Sequence, residues 1–273
     1  MLKLRVLTAT ILIPLVVFLI YYPDARWFSL FFAGITLLAA WEWGALCRFG
    51  SLSRYAYCAL MLTLLTVFYA IDISQYLIWL LAGAVMFWLA GVLLVLLYQQ
   101  QRNLLPRSRL LLSLIVIVLL VPMWSALVYL KTHVANGATL IMFLMLLIWS
   151  ADSGAYFVGR KWGRHKLASR VSPGKTWEGI LGGLICGLII CAGYLILFGI
   201  EPVSMFGFTL LSLITILISV TGDLLESMVK REANIKDSGK ILPGHGGILD
   251  RIDSLTAAAP VFTAGAIYLG VVQ

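Results

Sequence analysis

Nearly all side chains able to do chemistry lie in two polar segments of an otherwise apolar chain. In the second segment, Asp223, Glu226, Ser227 and Lys230 are spaced three and four apart and share one helix face. Lys236-Asp237 follows, then Leu242-Pro243-Gly244-His245-Gly246-Gly247, whose glycines let backbone approach a ligand closely. Asp250-Arg251-Ile252-Asp253 closes it. Two carboxylates three apart, Asp250 and Asp253, with Asp223 on a neighbouring helix, can supply oxygen ligands to Mg²⁺. That ion takes one or two carboxylates together with waters and substrate phosphates. Lys230, Arg231, Lys236 and Arg251 suit a polyanion, so the segment has the composition of a metal–phosphate site.

The first segment runs from Trp149 to Glu178 and places Asp152 within a predicted span, beside Ser150 and Ser153. Ser172-Pro173-Gly174-Lys175-Thr176 reads as a helix N-terminus, where free N–H groups and the dipole favour an anion. Gly174-Lys175-Thr176 is not a P-loop, since that motif needs a glycine where this chain has Ser169. Plainer readings stand beside these: Asp250 with Arg251, or Asp223 with Lys230, as structural ion pairs, and His245 as a turn or capping residue. His133 and His165 have no acidic cluster nearby in sequence and read as surface residues.

The elements that must position these residues are membrane spans. Of 273 residues, 62% are hydrophobic and only 12% charged, with mean hydropathy +1.00, against about 25% charged in soluble domains. A soluble fold, a disordered chain and, with four cysteines, a disulfide scaffold are excluded. A span needs about 20 apolar residues, and the chain offers nine: Leu4–Tyr22, Trp27–Leu46, Tyr55–Ile71, Tyr76–Tyr98, Leu110–Leu130, Ala138–Val158, Trp177–Ile200, Val203–Gly222 and Ser254–Val272. The expected fold is an all-α polytopic membrane protein. Residues 1–136 form five N-terminal spans; 137–273 form a catalytic part with cytoplasmic loops 159–176 and 223–253. With the N-terminus cytoplasmic, eighteen of the twenty Lys and Arg fall inside, leaving Arg26 and Lys131 outside, as the positive-inside rule requires. The net charge of +8 is thus topological and calls for no nucleic-acid partner.

Acidic residues have little influence on topology, yet only Asp24, Asp72 and Glu201 lie outside. Glu42, Asp152, Glu178, Asp223, Glu226, Glu232, Asp237, Asp250 and Asp253 gather at or near the inner face. A carboxylate at membrane depth costs about 2.5–3.5 kcal/mol on insertion scales, which makes such residues functional candidates.

At this point the residues resemble a known family. Ser227-x-Val229-Lys230-Arg231-x4-Lys236-Asp237-x-Gly239-x2-Leu242-Pro243-Gly244-His245-Gly246-Gly247-Ile248-x-Asp250-Arg251-x-Asp253 is similar to the signature of bacterial phosphatidate cytidylyltransferases, or CDP-diacylglycerol synthases. Ala151–Tyr156, Ser172–Glu178 and Trp41-Glu42-Trp43 resemble further blocks of that family. The resemblance implies that CTP and phosphatidic acid give CDP-diacylglycerol and pyrophosphate with Mg²⁺, in the bacterial inner membrane, by a multi-pass homodimer among membrane lipids. It implies Asp223 and Asp250 as metal carboxylates, with Asp253 beside them and a second cation, K⁺, sharing the site.

The phosphate of phosphatidic acid is already an anionic nucleophile, so in-line displacement needs no covalent intermediate. The obstacle is repulsion from the triphosphate, roughly 4 kcal/mol per unit pair at about 4 Å and an effective dielectric near 20. Positioning and charge neutralisation must therefore supply most of the catalysis. On this reading Asp223, Asp250, Lys230 and His245 are catalytic. Asp152, Ser172, Lys175, Arg231, Lys236, Gly246, Gly247 and Arg251 bind substrate, with the Gly244–Gly247 amides as donors. The rivals are a cytidylyltransferase for another lipid phosphate and, from a different class, a transporter of a phosphorylated metabolite. The latter predicts polar residues on both faces or an inverted repeat, and the sequence offers neither.

Overall fold

The structure is a computed structural model that describes residues 2–71, 74–100, 105, 108–198, 202–241, 244 and 246–271. Among them the chain forms nine α-helices and one small hairpin: α1 (Leu2–Tyr21), α2 (Ala25–Leu46), α3 (Ser51–Ala70), α4 (Ser74–Gln99), α5 (Arg109–His133), α6 (Gly137–Trp162), β1 (Lys166–Ala168), β2 (Ser172–Thr176), α7 (Trp177–Phe198), α8 (Pro202–Glu232) and α9 (Leu249–Tyr268). Without water to satisfy backbone amides, apolar runs of this length can only close their hydrogen bonds within a helix. Seven of the helices are long and apolar enough to cross a membrane, and the protein is a multi-pass membrane protein.

The two helices outside that group have different reasons. Of α1, only Thr10–Tyr21 counts as apolar helix among the described residues. In contrast, α9 begins at Leu249, ahead of the expected Ser254, and so carries Asp250, Arg251 and Asp253 in its first turns. It packs against α8, α5 and α4, and Ala257, Ala258 and Ala259 are wholly buried. A helix surrounded by protein needs no lipid-compatible surface. By contrast, only 17% of the apolar window of α3 is buried, against 67% for α5. The lipid-facing helices are thus read easily from hydropathy, and the central one less so.

Tryptophan and tyrosine side chains join the first helices to α5. Trp43 Nε1 donates to the Leu112 carbonyl at 2.9 Å, Trp124 Nε1 to the Ser29 carbonyl at 3.1 Å, and Tyr57 OH to the Ser113 carbonyl at 2.6 Å. At the opposite end, Lys131 Nζ donates to the Ile20 carbonyl at 2.6 Å and lies over the Phe28 ring. This lysine ties the C-terminus of α1 to α5, a structural part that charge counting does not reveal.

Two further boundaries near the polar segments differ from the sequence reading. The helix expected to end at Gly222 continues to Glu232. Its 31 residues rise about 46 Å, well beyond a hydrocarbon core of about 30 Å, so the turns after Gly222 project past it. Ser172–Thr176 is a strand, not a helix N-terminus. β2 pairs antiparallel with β1, Ala168 opposite Ser172 and Lys166 opposite Thr176. Ser172 precedes Pro173 and is thereby biased to extended backbone, while Ala168 and Val171 of the hairpin are wholly buried. Helix α7 starts at Trp177, and the Gly179 N–H donates to Thr176 Oγ1 at 3.1 Å. That amide at the helix start is therefore already satisfied.

Helices α6 and α7 meet backbone to backbone. A Cβ added to Gly154 would stand 2.6 Å from the Gly182 carbonyl oxygen, and one added to Gly183 would stand 2.8 Å from that of Ala151. Small residues are the usual means of close helix approach in lipid, and this seam fixes the level of Asp152. Gly183→Val should destabilise the protein by about 1–3 kcal/mol through overpacking, seen as a lower thermal midpoint in detergent. An unchanged midpoint would show that the seam can open freely.

Candidate functional site

At one end of the bundle, helices α8 and α9 come together at Gly222, where an added Cβ would stand 2.5 Å from the Asp253 carbonyl oxygen. This close approach places Asp223, Glu226 and Lys230 opposite Asp250 and Asp253. Lys230 Nζ lies 2.6 Å from Asp250 Oδ1 and 3.2 Å from Glu226 Oε2, and all three side chains are less than 10% exposed. Neither Glu226 oxygen finds a well-directed hydrogen bond among the described residues; Asp253 and the Lys230 charge are its neighbours.

Asp250 has further partners. Its Oδ2 accepts the Ser238 N–H at 3.0 Å and the Gly247 N–H at 2.8 Å. It precedes the stretch Ser254–Val272 read as a span. Burial opposes its charge, but Lys230 and the Gly247 and Ser238 amides outweigh burial and hold its carboxyl below the usual range. Gly244 (φ 77°) and Gly246 (φ 82°) occupy the left-handed region that favours glycine, and a Cβ at Gly246 would also stand 2.7 Å from Asp250 Oδ2.

The hairpin brings in the other lysine. Lys175 Nζ, on β2, is 2.7 Å from Asp223 Oδ2, and Ser227 Oγ donates to Asp223 Oδ1 at 3.2 Å. At the hairpin root, the His165 N–H donates to the Glu178 carboxylate at 3.2 Å, and His165 Nδ1 lies 2.6 Å from Oε1. At its tip, Arg231 Nε donates to the Val171 carbonyl at 3.2 Å and Arg170 Nη1 to the Tyr98 carbonyl at 3.0 Å. Tyr98 OH in turn donates to Glu232 at 2.8 Å.

The expected residues thus fall into distinct environments. Asp152, Asp223, Asp250, Asp253, Lys175, Lys230 and Arg251 belong to one electrostatic cluster, with Arg251 and Asp152 on its exposed side. Arg231, expected to bind substrate, spends its guanidinium on the Val171 and Ile235 carbonyls. The Gly247 amide, expected to face phosphate, points instead to Asp250. Ser172 pairs with Ala168 across the hairpin, and Lys236 is exposed. His245, with Leu242 and Pro243, lies outside the described residues.

Sequence reasoning gave no site role to Glu42, yet this α2 residue is 3% exposed and reaches the same loop. Its carboxylate accepts from Ser238 Oγ at 3.0 Å, Ile248 N at 3.1 Å and Leu249 N at 2.9 Å. The available signal was a carboxylate inside an apolar span, between Trp41 and Trp43.

The donor set can be tested against a divalent cation. Among the described residues no three His, Cys, Asp or Glu side chains form a ready-made metal cage. The cluster nevertheless holds five carboxylates, Asp152, Asp223, Glu226, Asp250 and Asp253, against three cations, Lys175, Lys230 and Arg251. That excess of carboxyl groups over cations and the poorly partnered Glu226 oxygens suit a hard cation completed by waters and substrate phosphates.

The sequence pattern of the cytidylyltransferase family matches residues 3–269. A phosphatidate cytidylyltransferase of Haemophilus influenzae is 38% identical over 286 aligned positions, covering 96% of this chain and 98% of the relative. One of Pseudomonas aeruginosa is 41% identical over 271 positions, covering 97% and 96%. One of Brucella suis is 46% identical over 133 positions, about half of each chain at 48%.

Removing Lys230 would strand two buried carboxylates. Lys230→Met should therefore cost about 3–5 kcal/mol of stability, whereas Lys236→Met, on the exposed loop, should change it by less than about 0.5 kcal/mol. Unfolding curves in detergent compare the two; equal midpoints would mean that Lys230 is not the counter-charge of this cluster.

Proposed function

The chain belongs to the cytidylyltransferase family and is a nucleotidyltransferase, and from that premise we propose that it converts CTP and phosphatidic acid to CDP-diacylglycerol and pyrophosphate. The observation that carries this reading is the joining of Lys175–Asp223 and Lys230–Asp250 in one acid-rich cluster, where the bundle ends and a loop and hairpin begin. The names of the full-length relatives support phosphatidic acid as the lipid. In a bacterial inner membrane with this end facing the cytoplasm, CTP arrives from water and phosphatidic acid from the leaflet.

A phosphate oxygen of phosphatidic acid attacks the α-phosphorus of CTP. The bond from that phosphorus to the oxygen bridging the β-phosphorus breaks, and pyrophosphate leaves with the electron pair. The nucleophile is an anion from the start, so no serine or cysteine has to be deprotonated and no covalent intermediate is needed. When bound, Mg²⁺ would supply charge neutralisation on the triphosphate and the departing pyrophosphate. Asp223, Asp250 and Asp253 are the residues to hold it, with K⁺ as a second cation beside them.

The protein's own cations do the rest. Lys175 sits at the open side of the cluster on a strand, half-buried, and can exchange Asp223 for a phosphate oxygen without leaving its place. Lys230 is enclosed and balances Asp250 and Glu226. Arg251, exposed on the first turn of α9, is free to meet phosphate entering from water. Such preset charges cost no reorganisation during reaction.

Purified protein with radiolabelled CTP, dioleoyl phosphatidic acid and Mg²⁺ should yield labelled CDP-diacylglycerol, and chelation with EDTA should stop it until Mg²⁺ is restored. Asp223→Asn should lower turnover by at least about 100-fold, the scale on which single preorganised electrostatic groups act, while leaving the protein folded. Wild-type turnover and Mg²⁺ dependence in Asp223→Asn would remove that residue from the site. Product formed only with other lipid phosphates would replace phosphatidic acid as substrate, and no product with any of them would remove the reaction.

A further inference from the structure

Glu42 lies on α2, in the half of the chain remote in sequence from both polar segments, yet it is the carboxylate on which Ser238 and the Ile248–Leu249 amides converge. Ser238 Oγ at one end of the loop and the Ile248 and Leu249 N–H groups at the other all donate to it, at 3.0, 3.1 and 2.9 Å. Two glycines leave room for it. A Cβ at Gly239 or at Gly247 would run into the Glu42 carboxylate group. The amides of Ser238 and Gly247, immediately beside these contacts, are the ones that hold Asp250. Glu42 and Asp250 therefore hold the same residues, one through Ser238 Oγ, Ile248 and Leu249, the other through the Ser238 and Gly247 amides.

We propose that Glu42 is a positioning residue for the transfer reaction, setting the rotamer and hydrogen bonds of Asp250 through Ser238 and the Gly247–Leu249 backbone. It touches no substrate. Its carboxylate also accepts the first N–H groups of α9, where the helix dipole favours negative charge, so a single side chain fixes both the loop and the helix start from which Asp250 projects. Gly239 and Gly247 are required on this account for space around Glu42, and not for backbone angle, since positive φ among the loop glycines falls at Gly244 and Gly246.

The inference rests on the reaction proposed above, and two kinds of readout keep the two separable. Glu42→Gln keeps the size of the side chain and one acceptor oxygen but loses the charge. In purified full-length protein it should lower kcat by about 10–100-fold, the range for groups that orient a site residue, with a smaller effect on the KM for CTP. Hydrogen–deuterium exchange should quicken in the peptide spanning 238–249 and stay unchanged in α5. Ser238→Ala removes one of the three donors and should move both readouts the same way by a smaller amount.

A wild-type kcat in Glu42→Gln overturns the proposal, as does a loss of activity that only mirrors a smaller folded fraction. If Glu42→Gln does not fold, Ser238→Ala decides, and unchanged kcat and unchanged exchange there overturn it. A wild-type protein that makes no CDP-diacylglycerol overturns the reaction instead, while the exchange data still report whether Glu42 holds the loop.

Discussion

Moving a charged group out of water costs several kcal/mol even after relaxation, and the end of this bundle contains eight ionisable groups within electrostatic reach of one another. The arrangement that makes this tolerable is Lys230, enclosed between Glu226 and Asp250. Asp250 takes on the Ser238 and Gly247 amides in addition, so the ammonium indirectly sets the loop. Asp223, two turns earlier on the same face of α8, is balanced by a lysine from the hairpin. The protein thus stabilises its acids in two compartments, one closed and one open to the surface, and only the open one leaves a cation able to change partners.

The need to enclose that cluster explains the placement of the least lipid-like helix. Because α9 carries three charges at its start and a run of alanines after them, it is best surrounded by α4, α5 and α8. The more apolar α3, α4 and α7 can then face lipid. Close backbone approach at Gly222 on one side, and between α6 and α7 on the other, brings the chemistry-bearing ends of α6, α8 and α9 to a common level.

Sequence reading captured what the bilayer enforces and missed what local contacts decide. The lipid-crossing helices were legible because each needs a long apolar run, and the acids stood out because membrane insertion penalises them. The continuation of α8 to Glu232 was hidden because its last turns are polar and hydropathy stops reporting there. The hairpin was hidden because Ser172–Thr176 has the residue types of a helix cap; burial of Ala168 and Val171, with Pro173 favouring extended backbone, decided otherwise. Arg231 looked like a phosphate ligand by type, whereas geometry commits it to carbonyls. Glu42 was visible as an oddity, but its partners lie so far along the chain that spacing could not pair them.

That separation has a consequence in time. Glu42 is synthesised 207 residues before Leu249, and at about 5–20 residues per second a ribosome takes roughly 10–40 s to cover the interval. For nearly all of it, the second helix holds a carboxylate none of whose three donors yet exists. Helix α9 is the element whose start relieves it, so a chain halted before α9 would leave an unsatisfied acid in its second span.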